Sequence, residues 1–264
     1  MRALFIITIL AFLTGCSGAP REVATIERPP VTEIASPAVR ALLDSIHEQT
    51  RVTTGYTQQY FKLRYPNGDP PAETGACTDV VIRAFREAGV DLQKEIHEDM
   101  AANFSAYPKK WGLAKPDSNI DHRRVPNLQT FFTRRGKSLA VSNKGGNYLP
   151  GDVVSWDLDE RGTTHIGVVS HLWSGDTNRY LIIHNIGSGT RLEDRLFEWK
   201  LPDTIGTFKR SVLAEIRYNL NKQLAPFFLR NVAAVFEDHK TRPFDFLMQF
   251  VPVMNLDHLI AVAP

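Results

Sequence analysis

The chain has 264 residues, 43% hydrophobic and 23% charged, with a formal net charge of +2. This is the composition of a globular protein long enough to bury a core; disorder is not the default, and the near balance of charge argues against a nucleic-acid partner. Basic pairs such as Lys109-Lys110 and Arg123-Arg124 are too short to track a phosphate backbone.

At the N-terminus, Met1-Arg2 is a short basic region, and residues 3–12 form an apolar run too short to span a bilayer as a mature helix. This predicts an export signal over 1–15. Its end, Leu13-Thr14-Gly15-Cys16, resembles the lipobox of bacterial lipoproteins, in which the cysteine is acylated and becomes the new N-terminus. Several acyl chains on Cys16 would anchor the protein stably to a membrane. Ser17, where Asp is absent, resembles the outer-membrane sorting pattern. The expected location is the bacterial envelope, periplasm-facing and lipid-anchored. With Cys16 acylated, Cys77 has no intramolecular disulfide partner, and a lone thiol in an oxidising compartment is either deeply buried or chemically used.

Residues 16–37, rich in Pro, Ala, Ser, Glu and Arg, read as a tether. The domain is expected over 38–218. Val39, Leu42, Leu43 and Ile46 share one face of a first helix, and a loop loaded with Pro, Gly, Asp and Asn runs over 65–76. Cys77-Thr78-Asp79 then opens a helix with Val81, Ala84, Phe85 and Ala88 at helical spacing, widened by Val80 and Ile82 and capped by Gly89. Residues 91–132 are helical and loop-rich. Beyond them the period changes: Val153-Val154-Ser155-Trp156, Thr164-His165-Ile166-Gly167-Val168-Val169 and Tyr180-Leu181-Ile182-Ile183-His184 predict an antiparallel meander. Helices followed by strands give an α+β fold. Residues 219–264, with Phe227, Phe228, Leu229 and Phe236, are an extension expected to pack back on the domain; a membrane or partner surface is the sharper alternative.

The chemistry gathers on one cysteine and two histidines. A sulfur at the start of a helix lies beside unpaired N–H groups and the positive end of the dipole, which favours the thiolate; the bland alternative is a small buried hydrophobe. His165 shares a strand face with Gly167 and Val169, so its imidazole is expected to stand over the Cys77 helix with Gly167 leaving room. A hairpin turn at Ser174-Gly175 would set His184 directly across from His165, and one at Gly175-Asp176 diagonally; an odd loop would instead bring Asn185 opposite. Either His184 or Asn185 is then the group that fixes the tautomer of His165. His97-Glu98-Asp99 are adjacent on a helix and point apart, so neither a metal nor another cofactor is expected.

These residues resemble the NlpC-type cell-wall peptidases: a helix-initial cysteine, a Gly-Asp-Val strand from Gly151, His165-Ile166-Gly167-Val168-Val169 and Ile182-Ile183-His184. A closer resemblance, carried by Gly75-Ala76-Cys77-Thr78-Asp79-Val80-Val81, His97-Glu98-Asp99-Met100, Asn119-Ile120-Asp121-His122-Arg123-Arg124 and Gly206-Thr207-Phe208, is to the bacterial family catalogued as domain of unknown function 1287. The resemblance implies a papain-like core that hydrolyses amide bonds in peptidoglycan stem peptides. Cys77 would be the nucleophile, His165 the general base and acid, and His184 the orienting residue. Tyr56 resembles an upstream tyrosine that helps the oxyanion site. Thr78-Asp79 departs from the usual Ser-Gly, which changes the helix's first turn and makes Asp79 a candidate substrate contact. Asp121, His122, Arg123 and Arg124 are candidates for holding stem-peptide carboxylates; the alternative is a loop stitched by its own ion pairs. Rival readings are a papain-like acyltransferase or transglutaminase-like enzyme, and a non-catalytic envelope-binding lipoprotein.

Overall fold

A computed structural model describes residues 36–135 and 138–201, together with the backbone of a strand at 207–208. The lipobox with Cys16 and the extension 219–264 lie outside the described residues.

Helix α1, Pro37–Val52, starts on a proline at its first position, where a missing N–H costs nothing, and buries Val39, Leu42, Leu43 and Ile46. A parallel two-residue pair follows, β1 (Gly55–Tyr56) against β2 (Thr74–Gly75). Helix α2, Cys77–Glu87, is buried from Cys77 through Phe85. Its C-terminus closes as the glycine predicts: Gly89 is left-handed at φ 86°, its N–H bonds to Arg86 O at 2.8 Å, and that of Val90 bonds to Phe85 O at 2.8 Å. Helix α3, Leu92–Ala102, is capped by the Asp91 side chain, and α4 is Val125–Arg135. A short 3-10 turn, Asp121–Arg123, leads into α4.

The sheet has six antiparallel strands in the order β3-β8-β4-β5-β6-β7. They are β3 (Ser138–Leu139), β4 (Val153–Asp157), β5 (Thr164–Ser174), β6 (Arg179–Asn185), β7 (Thr190–Glu193) and β8 (Thr207–Phe208). The predicted meander is its centre, β4-β5-β6, and the α+β class holds. Three further strands, each of two to four residues, extend it.

Both faces of the sheet are covered. Val153, Ile166, Val168 and Ile183 pack with the helices, among them Leu42, Val80, Val81 and Phe85. On the other face Val154, Trp156, Val169, Tyr180 and Ile182 form a second cluster with Tyr148 and Leu196, flanked by Trp173 and Trp199.

Candidate active site

Helix α2 begins at Cys77 because Ala76 is extended (φ −88°, ψ 176°) and the Asp79 carboxylate accepts its N–H at 2.6 Å, fixing the first turn. Asp79 is in turn gripped by Arg123, whose Nε and Nη2 donate to its two oxygens at 2.8 and 2.9 Å, with each side chain 1% exposed. Arg123 Nη1 also donates to Gln59 O at 2.7 Å, and Thr78 Oγ1 to Arg123 O at 3.2 Å. The departure from Ser-Gly after the cysteine therefore joins the helix start to the 3-10 turn.

This corrects the expectation that the polar insertion faces a substrate. Asp79 and Arg123 are committed to each other inside the fold. Asp121 is buried, accepts the Asp117 N–H and lies 3.6 Å from Arg124. His122 is buried, and desolvation pushes its pKa down to about 3. The insertion is stitched by its own contacts, and Arg124 retains some exposure, with its guanidinium 4.1 Å over the Trp111 ring.

The histidines also lie differently from the expectation. His165 pairs across from Trp156 in the β4 ladder, and the two rings stack at 5.6 Å and 27°. Trp156 belongs to the cluster on the sheet face away from α2, so His165 projects there too. In the β5–β6 register Val168 faces Ile183, which sets Gly167 opposite His184, and a Cβ added to Gly167 would come within 3.0 Å of the His184 Cβ. Gly167 thus makes room for His184, not for the helix.

Cys77 nevertheless meets β5. The Val169 N–H donates toward β4, to Asp152 O at 2.8 Å; the alternation of an antiparallel strand then turns the N–H groups of Val168 and Ile166 toward β6. Ile166 would face Asn185 if the register continued, but Asn185 Nδ2 is drawn aside to Gly55 O and Gly75 O, each at 3.0 Å. The Ile166 N–H is directed at the Cys77 sulfur instead. Cys77 packs within the cluster on the helix face of the sheet, and its sulfur meets β5 at the residue that follows His165. Among the described residues no hydrogen bond joins Cys77 to His165.

Electrostatics at the sulfur reverse the expectation of a resting thiolate. Burial pushes the Cys77 thiol up to about 12; N–H groups of Ile166, Thr78 and Cys77 itself act against this, and the Asp79 charge adds to it. Desolvation pushes His165 down to about 3, with His184 acting in the same direction. Both groups are neutral at pH 7.

His165 Nε2 lies 3.0 Å from His184 Nδ1, and the Trp199 ring meets both imidazoles edge-on at 5.4 and 5.6 Å. The turn falls at neither expected pair, since Ser174 pairs with Arg179 across a loop at 175–178; the even parity holds all the same, because the irregularity between Val169 and Trp173 shifts the register by two residues, not one, and the histidines share one face as diagonal neighbours. Asn185 serves β1 and β2, and among the described residues no hydrogen bond joins it to His165. Tyr56 pairs with Gly75 beside the start of α2; burial raises its hydroxyl pKa against the Gln58 hydrogen bond, and the Asp79 charge pushes it further up. Sequence reasoning missed Glu193, whose Oε2 lies 3.2 Å from His184 Nε2 and 3.2 Å from Arg195 Nε. The four-residue strand carrying it offers too little pattern to be seen. Among the described residues no cluster of three or more His, Cys, Asp or Glu could hold a metal ion.

These elements define a mixed helix and antiparallel-sheet domain with a cysteine at a buried helix start and a paired histidine on the adjoining strand. The chain belongs to the family described as Domain of unknown function (DUF1287), whose model matches residues 43–209. The Escherichia coli (strain K12) Uncharacterized protein YijF is 51% identical over 173 residues, covering 66% of this chain and 83% of that protein. Two crystal structures of an N-acetylmuramoyl-L-alanine amidase from Bacteroides uniformis ATCC 8492 share 10% identity, with TM-scores of 0.39 and 0.38; they cover 66% of this chain and 98% and 97% of theirs. A likeness that slight carries no argument about activity.

Proposed function

We propose that this chain is a cysteine-dependent amide hydrolase of the bacterial envelope, with a papain-like arrangement of groups, acting on peptidoglycan stem peptides. The observation that carries the reading is the sulfur of Cys77 at the start of α2, directed to the Ile166 N–H one residue from His165, whose Nε2 is tied to His184 Nδ1 at 3.0 Å. A nucleophile, a base and a group that orients the base are the three parts that acyl transfer by a thiol needs. The bond to His184 engages His165 Nε2, which leaves Nδ1 as the nitrogen to take the thiol proton.

In this reading the thiol proton passes to His165 Nδ1 as sulfur attacks the carbonyl carbon. Backbone N–H groups at the start of α2 meet the oxyanion, with Tyr56 beside them. His165 then returns the proton to the leaving amine, and water releases the acyl-enzyme. Since both groups are neutral at rest, the charge separation forms during attack. Lipidation of Cys16, and with it an outer-membrane, periplasm-facing location, belongs to the same proposal.

Isolated peptidoglycan incubated with the protein should release fragments bearing new free amines, read by mass spectrometry. Cys77→Ala should abolish release while the circular dichroism spectrum and Tm stay unchanged. Mass gain on an added amine acceptor would point to the transferase instead. The depth of Cys77, 8% exposed, favours one other reading, a binding module with a silent thiol; undiminished release by Cys77→Ala would remove the hydrolytic role.

A further inference from the structure

Resting on the hydrolytic reading of Cys77 and His165, we propose that Glu193 is a positioning residue that sets the protons of both imidazoles and thereby makes His165 Nδ1 the base. Two directly bonded neutral imidazoles are ambiguous, since either ring can donate. With His165 Nε2 and His184 Nδ1 3.0 Å apart, one arrangement leaves His165 Nδ1 with a lone pair, and the other puts a proton there. Only the first accepts a proton from a thiol.

The geometry points to the first. Glu193 lies diagonally from His184 on the β6–β7 ladder, on the same face; its Oε2 stands 3.2 Å from His184 Nε2, an ion-pair contact outside hydrogen-bond geometry, and that buried nitrogen has no hydrogen-bond partner among the described residues. A carboxylate only accepts, so it selects the proton on His184 Nε2. His184 Nδ1 is then an acceptor, His165 Nε2 must donate to it, and His165 Nδ1 is left open. Both rings are Nε2–H tautomers, fixed from one end of the row. Arg195 aims the Glu193 carboxylate, with its Nε 3.2 Å from the same oxygen and its Nη1 paired to Glu198. During attack the thiol proton would reach His165 Nδ1, and the positive charge on His165 would be met through the His184 bridge by the Glu193 carboxylate.

An amide at this place reverses the logic. The Glu193→Gln side chain can present its NH2 to His184 Nε2; the His184 proton then moves to Nδ1, and His165 is driven to its Nδ1–H form. The effect of a wrong tautomer on a hydrolytic histidine reaches about ten-thousandfold when the amide replaces the directly bonded carboxylate. One ring further away, a loss of about a hundredfold or more in kcat is expected, with KM little changed.

The test is two-part. Long-range 1H–15N correlation spectra of the full chain at pH 7 should give pyridine-like Nδ1 and pyrrole-like Nε2 shifts for both His165 and His184, assigned with His→Gln variants at each position. Glu193→Gln should convert both rings to Nδ1–H, and Glu193→Asp should restore the wild-type pattern in part and recover much of kcat. Nδ1–H rings in the wild-type protein, or unchanged tautomers and unchanged kcat in Glu193→Gln, would overturn the proposal. The wild-type spectra decide it even if Glu193→Gln fails to fold. They also separate it from the hydrolytic reading: Nε2–H rings in a protein whose Cys77→Ala variant is as active as wild type would sink the chemistry and leave the proton order standing.

Discussion

At the scale of single residues, Cys77 is a contest between two local fields. A helix N-terminus contributes on the order of 1 kcal/mol toward a negative charge. Burial contributes several kcal/mol against it, each pKa unit being about 1.4 kcal/mol, and burial wins: the thiol rises from 9.0 to about 12. A reagent that requires thiolate should therefore react slowly. Iodoacetamide labelling of Cys77, followed by intact mass, is expected to stay slow from pH 7 to 9 and to climb only toward pH 12. A labelling midpoint at or below 9 would show that the sulfur is better solvated than its surroundings in the fold imply. The same competition explains why the sequence misleads here. The start of α2 is readable from Cys77-Thr78-Asp79 and the apolar spacing behind it, whereas desolvation depends on Ile166 and the second half of the chain.

At the scale of elements, the joint between α2 and the 3-10 turn rests on Asp79. Its carboxylate holds the Ala76 N–H and both prongs of Arg123 in a place with almost no solvent. Removing one partner of such a pair leaves a buried charge uncompensated, at a cost of about 3–5 kcal/mol. Asp79→Ala should lose that much stability in urea unfolding. An apolar double replacement, Asp79→Leu with Arg123→Met, should recover much of it. If Asp79→Ala costs under about 1 kcal/mol, the pair is not what holds the joint. The partnership spans 44 residues, which is why sequence alone assigned these charges to a substrate. The face of the histidines was hidden for a related reason. Residues from His165 to Ser170 are all buried, because one cluster covers each side of the sheet, so β5 carries no apolar alternation to say which side the helices take. What was legible was the parity: His165 and His184 had to share a face whenever the register was even, and they do.

At the scale of the whole molecule, covering the sheet buries His165 and His184, and packing the 3-10 turn among the helices buries His122; these three interior histidines set the response to acid. His122 and His165 are each pushed down to about 3 by burial, and His184 is lowered by burial against the opposing pull of Glu193. In the unfolded chain each takes a proton near pH 6.5; in the folded chain His122 and His165 take one only near 3, and His184 below its free value. Between about 6.5 and 3 the unfolded state therefore binds more protons, so stability rises with pH and drains away as pH falls through that window. Above pH 9 the sign turns. Unfolded Cys77 loses its proton while the folded thiol keeps it to about 12, and stability falls as pH rises. Thermal melts from pH 4 to 10.5 should give a Tm that is highest near neutrality and lower at both ends. His122→Gln, outside the proposed chemistry, should flatten the acid limb, and Cys77→Ala should flatten the alkaline limb, because each removes one group whose protonation differs between the two states. An acid limb with the same slope in His122→Gln would mean that His122 is protonated inside the fold, and the polar insertion would then need a buried partner for that charge.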